Sequence, residues 1–237
     1  GIKVYTMNTR YNQKEPTLDR VSKWKEIYER ISKLNKKEDN QKVDVILDTD
    51  IYNECDDQFA LSYLLKSQDK FNIEAITVAP YHHDNNISIE EGTDKSHNEI
   101  IKICNWLHFD WNNKVFKGST DYVVNGYSEE NDAVNKIIEI ANKNDKTYIL
   151  AIGAITNVAL AIRKEPKIVD KIEIVWLGGH SFLNKDNKEF NFKQDVQAVQ
   201  TVFESKDPSC EKCTLLTGLE IDAAKNGQHP NLDIILK

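Results

Sequence analysis

Residues 43–65 read VDVILDTDIYNECDDQFALSYLL. Val43, Val45, Ile46 and Leu47 make a short apolar, β-branched run, as in a strand buried on both faces. Asp48-Thr49-Asp50 ends it. A polar break, Tyr52-Asn53-Glu54, leads to Asp56-Asp57, and then Phe59, Ala60, Leu61, Leu64 and Leu65 recur at helical spacing. The unit is strand, loop, helix, with four aspartates at the junction, the edge at which open α/β sheets bind ligands. Four carboxylates this close repel one another. A helix N-terminus, carrying roughly half a positive charge, offsets part of that. The remainder is met by a retained proton, which raises a pKa, or by a hard divalent cation; Ca²⁺ takes about 6–8 oxygen ligands and Mg²⁺ fewer. A single aspartate here can equally cap the helix. Four together point to a ligand, because unpaired acidic clusters are costly to hold.

Downstream, strand and helix patterns alternate. Phe71–Ala79 is a strand stopped by Pro80, and Tyr81–Ser88 is the polar loop at its end, carrying His82, His83, Asn85 and Asn86. Ile89–Leu107 is a helix, Lys114–Lys117 a short strand, Asp132–Asn142 a helix and Thr147–Ile152 a strand. Gly153-Ala154-Ile155-Thr156-Asn157 then opens a helix, Val158–Lys164, ended by Pro166. Ile172–Leu177 is the next strand and runs into Gly178-Gly179-His180, where two glycines allow a close backbone approach or a tight turn. Glu189-Phe190-Asn191-Phe192 follows, Asp195 opens a helix through Phe203, and Thr214–Thr217 is a last strand. This alternation predicts an α/β fold with a mostly parallel central sheet flanked by helices. Every polar motif lies after a strand, so four loops converge on one edge of the sheet.

Upstream, residues 1–16 are a polar arm. Val21, Trp24, Ile27, Tyr28, Ile31 and Leu34 mark an amphipathic helix over Thr17–Leu34, and Asn35–Lys42 is a linker. The expected division is therefore 1–42, arm and helix, and 43–237, the α/β domain. The net charge of −7 argues against nonspecific binding to nucleic acid or an anionic membrane. No apolar run approaches the ~20 residues of a membrane span, and the first residues lack the apolar centre of a signal peptide. Of the four cysteines, Cys210 and Cys213 form a lone CxxC with no second ligand pair for zinc. Reduced thiols and a cytoplasmic location are expected.

The motifs resemble the nucleoside hydrolase family, in its inosine–uridine-preferring branch. DTDIYNECDDQFAL resembles the family's strand ending in Asp-x-Asp, a turn and Asp-Asp, with a longer turn and Tyr52 where glycine is usual. AIGAITNVALAI resembles its strand followed by Gly, two residues and Thr-Asn; VWLGGH and EFNFKQD resemble its Gly-Gly and Glu-Phe-Asn segments. The resemblance covers about Val43 to Phe203. It implies a Rossmann-like nucleoside hydrolase fold and a Ca²⁺-dependent N-ribosyl hydrolase that splits ribonucleosides into base and ribose, in purine or pyrimidine salvage. It further implies Asp50, Asp57 and the Ile152 carbonyl as metal ligands, Asp50 as the catalytic base, and Asp56, Glu189 and Asn191, with Asn85 or Asn86, as ribose contacts. Asp48 is a supporting residue, and a homo-oligomer, dimer or tetramer, is implied. Family members continue into a helical region that returns a last aspartate to the metal. Asp222, His229 and Asp233 do not match it, so the domain is expected to be C-terminally incomplete.

Two other readings fit parts of the same residues. One is a non-catalytic riboside- or sugar-binding protein on this fold. The other is a phosphatase of the haloacid dehalogenase type, whose nucleophile motif Asp48-Thr49-Asp50 resembles, although Tyr52 stands where that motif has threonine or valine.

Overall fold

The computed structural model describes residues 6–7, 20–21, 42–83, 87–123, 130–179, 188–205 and 215–216. The main sheet is built from β3 (Val43–Thr49), β4 (Phe71–Val78), β5 (Val115–Phe116), β6 (Thr147–Ala151), β7 (Ile172–Trp176) and β8 (Leu215–Leu216). Their order is β5-β4-β3-β6-β7-β8, and every neighbouring pair is parallel. Counted within the sheet this is the doubly wound order, roughly 3-2-1-4-5-6, whose reversal point lies beside the first strand. Here that point is the crevice between the C-terminal ends of β3 and β6. Two short strands, β1 (Thr6–Met7) and β2 (Arg20–Val21), pair separately and in parallel.

The strands alternate between two cores. Val43, Val45 and Leu47 of β3 face a cluster built with Leu61, Leu64 and Leu65 of α1 (Cys55–Lys66) and Ile100, Ile103 and Cys104 of α2 (Ile89–Trp106). Ile46 faces the opposite way. It joins Val134, Ile137 and Ile140 of α3 (Asp132–Lys143), Val158 and Leu160 of α4 (Thr156–Lys164) and Val199 of α6 (Val196–Glu204). A short helix, α5 (Phe190–Gln194), precedes α6. Each fully buried Ile or Leu contributes on the order of 1.5–3 kcal/mol, so the two layers hold the strand ends rigidly in place. Among the described residues no helix is long and apolar enough to cross a membrane.

Three expectations need adjusting. Strand β3 runs on through Asp48 and Thr49, because both side chains are buried and partnered and need not turn out to water. Helix α1 starts at Cys55, which puts Asp56 and Asp57 inside its first turn rather than ahead of it. Arg20 and Val21 are strand, so the amphipathic helix does not begin at Thr17. The apolar rhythm that argued for it starts only at Val21, and the pairing with Thr6–Met7 outweighs the local cap. As expected, a helix opens at Asp195, which caps α6.

Candidate active site

Asp48, near the end of β3, is fully buried. Its Oδ1 accepts hydrogen bonds from Thr77 Oγ1 at 2.6 Å and Asn157 Nδ2 at 2.9 Å, while its Oδ2 is buried without a partner. Burial outweighs those two bonds and pushes the carboxyl from 3.8 up to about 6. Two residues on, Asp50 is 3% exposed, and its Oδ2 accepts from Asn53 Nδ2 at 3.3 Å. Asp57 reaches the same place from α1, where Thr49 Oγ1 donates to its Oδ2 at 2.5 Å. The Asp50 and Asp57 carboxyls lie close enough for each to alter the other's hold on a proton. Burial, and then the charge of Asp57, hold Asp50 well above the ordinary carboxylate range; burial also raises Asp57 to about 6. Two acids in one dry site share a proton unless a cation replaces it.

The opposite wall comes from β6. Ile152 N–H donates to the Asp48 carbonyl at 2.8 Å, which brings Gly153 against Asp50. A Cβ at Gly153 would lie 3.1 Å from Asp50 Oδ1 and 2.9 Å from Ala79 Cβ, so glycine leaves open the space beside the carboxyl pair. The Ile152 carbonyl accepts from Asn191 Nδ2 at 3.0 Å, and the same amide group donates to the Leu177 carbonyl at 2.9 Å. Glu189 is the N-cap of α5. Its Oε1 accepts from Asn191 N, and its Oε2 from Phe192 N at 2.8 Å and Gly179 N at 3.0 Å. The glycine pair after β7 is explained by these contacts. Gly179 has φ 82°, and a Cβ at Gly178 would lie 2.4 Å from the Trp176 indole.

Asn157, at the start of α4, joins the strands behind the carboxyls. Its Nδ2 donates to Asp48 Oδ1 and to the Val78 carbonyl at 2.8 Å, and its Oδ1 accepts from Ser119 N at 2.9 Å. Gly118 allows this approach, since a Cβ there would lie 2.4 Å from Asn157 Nδ2.

The chain that carries this buried acidic pair is similar to known proteins. The sequence profile described as inosine-uridine preferring nucleoside hydrolase matches residues 45–231. The chain belongs to the inosine-uridine preferring nucleoside hydrolase family. The inosine-uridine preferring nucleoside hydrolase of Crithidia fasciculata is 38% identical over 80 residues, 32% of this chain and 25% of that protein. A plant nucleoside hydrolase superposes with a TM-score of 0.54 at 21% identity, over 70% of this chain and 57% of its own. The purine-preferring ribonucleoside hydrolase from Gardnerella vaginalis gives 0.51 at 24% identity, over 68% and 58%. These two likenesses establish the fold. The chain matches about a quarter of the curated relative and somewhat under two thirds of the solved structures.

Set against this nucleoside hydrolase frame, the expected site residues fall into three groups. Asp50 and Asp57 adjoin in the crevice, and Asn191 holds the Ile152 carbonyl, one residue before the Gly153 that lies beside Asp50. Glu189 borders it, with both carboxylate oxygens engaged by backbone amides; Asp56 is exposed on the first turn of α1. Asn85, Asn86, His180, Cys210, Cys213, Asp222, His229 and Asp233 lie outside the described residues. Among the described residues no three histidine, cysteine, aspartate or glutamate side chains gather to hold a metal ion. The expected set has two carboxylates, and its third member is a backbone carbonyl. The residues present nevertheless fit a hard cation. The donors are all oxygen, the two acids are buried together, and Gly153 keeps room beside them. Sequence reasoning assigned no role to Thr49, Thr77 or Asn157, which hold the acids. The Thr-Asn pair after Gly153 was the signal available for Asn157.

Proposed function

We propose that the chain hydrolyses the N-glycosidic bond of ribonucleosides, releasing free base and ribose, with Ca²⁺ as the cation. The observation that supports this reading is the buried Asp50–Asp57 pair beside Gly153 at the reversal point of the sheet. Asp50, Asp57 and the Ile152 carbonyl would hold the ion; the carbonyl keeps a second lone pair beside its bond to Asn191. When bound, a divalent cation supplies charge that acidifies water and orients ribose hydroxyls. Asp50 takes the proton from the attacking water, the role that its place in the Asp-x-Asp motif implies. Asp56, Glu189 and Asn191 bind ribose hydroxyls, with Asn85 and Asn86 as further contacts, and hold the sugar for attack. Positive charge grows on the sugar as the bond to the base breaks, and the acid-lined crevice stabilises it. A role in nucleoside salvage and a dimer or tetramer belong to the same reading.

The test is release of free base from inosine, adenosine, uridine and cytidine, followed chromatographically with Ca²⁺ and with a chelator. Base release that needs Ca²⁺, and falls at least about a hundredfold in Asp57→Asn, is expected. Ribose or nucleoside binding by calorimetry without base release would instead favour a non-catalytic riboside binder.

A further inference from the structure

We propose that Gln194 is a positioning residue that fastens the loop after β4 to the helix carrying Glu189 and Asn191. The proposal rests on the hydrolase reading of the site. Gln194 stands three residues after Asn191, on the same side of α5. Its Oε1 accepts from the backbone N–H of His82 at 2.8 Å and from the hydroxyl of Tyr122. These partners lie 112 and 72 residues away in sequence, so one amide oxygen joins three segments. The first is the loop beginning at Tyr81, whose buried ring lies near Asp50. The second is the segment after β5, and the third is α5. Asp195 anchors the neighbouring residues: its carboxylate accepts from Val123 N, Thr156 Oγ1 and Ala198 N. The break between α5 and α6 at Asp195 therefore lets two consecutive side chains reach different partners.

Two details identify the amide oxygen as the working part. His82 N–H can only donate, which fixes the orientation of the Gln194 amide. That orientation leaves Nε2 buried with no partner, an arrangement a side chain retained for packing alone would avoid. A neutral amide also accepts both bonds without adding another carboxylate near Asp50 and Asp195, both of which act on Tyr122. The ring of His83 stands 6.0 Å from that of Phe190, so releasing His82 from Gln194 would also loosen an aromatic contact at the crevice rim.

The variants that separate a latch from packing are Gln194→Leu and Gln194→Glu. Leucine keeps volume and loses the acceptor; glutamate keeps the acceptor. Amide hydrogen exchange of the full chain is read at His82, with Val123, held by Asp195, as the internal control. In Gln194→Leu, exchange at His82 is expected to rise at least about tenfold with Val123 unchanged. KM for the ribonucleoside is expected to rise about tenfold, with kcat within about threefold. Gln194→Glu should restore most of the His82 protection. Unchanged exchange at His82 in Gln194→Leu, or protection kept by leucine and lost with glutamate, overturns the latch. If the wild-type chain releases no base from any ribonucleoside, the hydrolase reading fails while the exchange result still decides the role of Gln194.

Discussion

Asn157 makes three hydrogen bonds with one side chain, and each partner is buried. Removing it leaves the Val78 carbonyl and the Ser119 amide unpaired and takes one of two bonds from Asp48. An unmet buried group costs about 1–3 kcal/mol, so Asn157→Ala should lose about 3 kcal/mol or more of unfolding free energy in a urea titration. A loss under about 1 kcal/mol would mean that water or a shifted loop replaces all three bonds. Asn157→Asp is a sharper probe, since it places a second acid against Asp48. Glu189 is engaged in a similar way, by three backbone amides. Both residues belong to motifs that are conspicuous in the sequence, but the motif does not say whether a side chain holds backbone or faces the crevice. Only packing distinguishes the two, and here Asn157 is wholly engaged while Asp50 and Asp57 are left facing each other.

The elements were largely legible. Apolar runs of β-branched residues gave the central strands to within a residue or two, because a strand buried on both faces leaves little room for polar residues. The loops after those strands were correctly expected on one edge. What could not be read was the junction itself. The buried Asp48 and Thr49 look like a loop in sequence, and their strand conformation depends on Thr77 of β4 and Asp57 of α1. The helix start at Asp195 was legible, but the partners of its side chain outside that helix, Val123 and Thr156, were not, because they are distant in sequence. Strand β6 delivers Gly153 beside Asp50, which gives a prediction at this scale. In Gly153→Ala the added methyl meets Asp50 Oδ1 and Ala79 Cβ. Ca²⁺ affinity by calorimetry should fall at least about tenfold, while the unfolding midpoint moves by only a few degrees, as expected for overpacking of about 1–2 kcal/mol. Equal Ca²⁺ affinity in the variant would separate Gly153 from the ion site.

For the whole molecule, the acidic crevice is expected to couple folding to pH and, on the proposed function, to the cation. Burial raises Asp48 and Asp57 from 3.8 to about 6, so the folded chain keeps protons that the unfolded chain has lost. Stability from those protons is fully present below 3.8 and is lost as pH rises through about 6; Asp50 acts in the same direction. A cation reverses the trend, because it requires the ionised acids. The Ca²⁺-free midpoint should therefore fall between about pH 4 and 7, and the gain on adding Ca²⁺ should grow over the same range, reaching about 2.7 kcal/mol at a hundredfold excess over Kd. A Ca²⁺ effect that is the same at both ends of the range would break the link between ion and acids. Trp176 lies against this coupled region. Its indole N–H donates to the Gly153 carbonyl at 2.9 Å, and its ring stacks on Phe192, next to Asn191. Trp106, by contrast, is exposed. Among the described indoles, an aqueous quencher such as iodide would silence Trp106 and spare Trp176. The Trp176 indole thus stands one hydrogen bond from the glycine beside Asp50, and a Ca²⁺-dependent change in its emission is the expected signal of the proposed ion, readable without labelling.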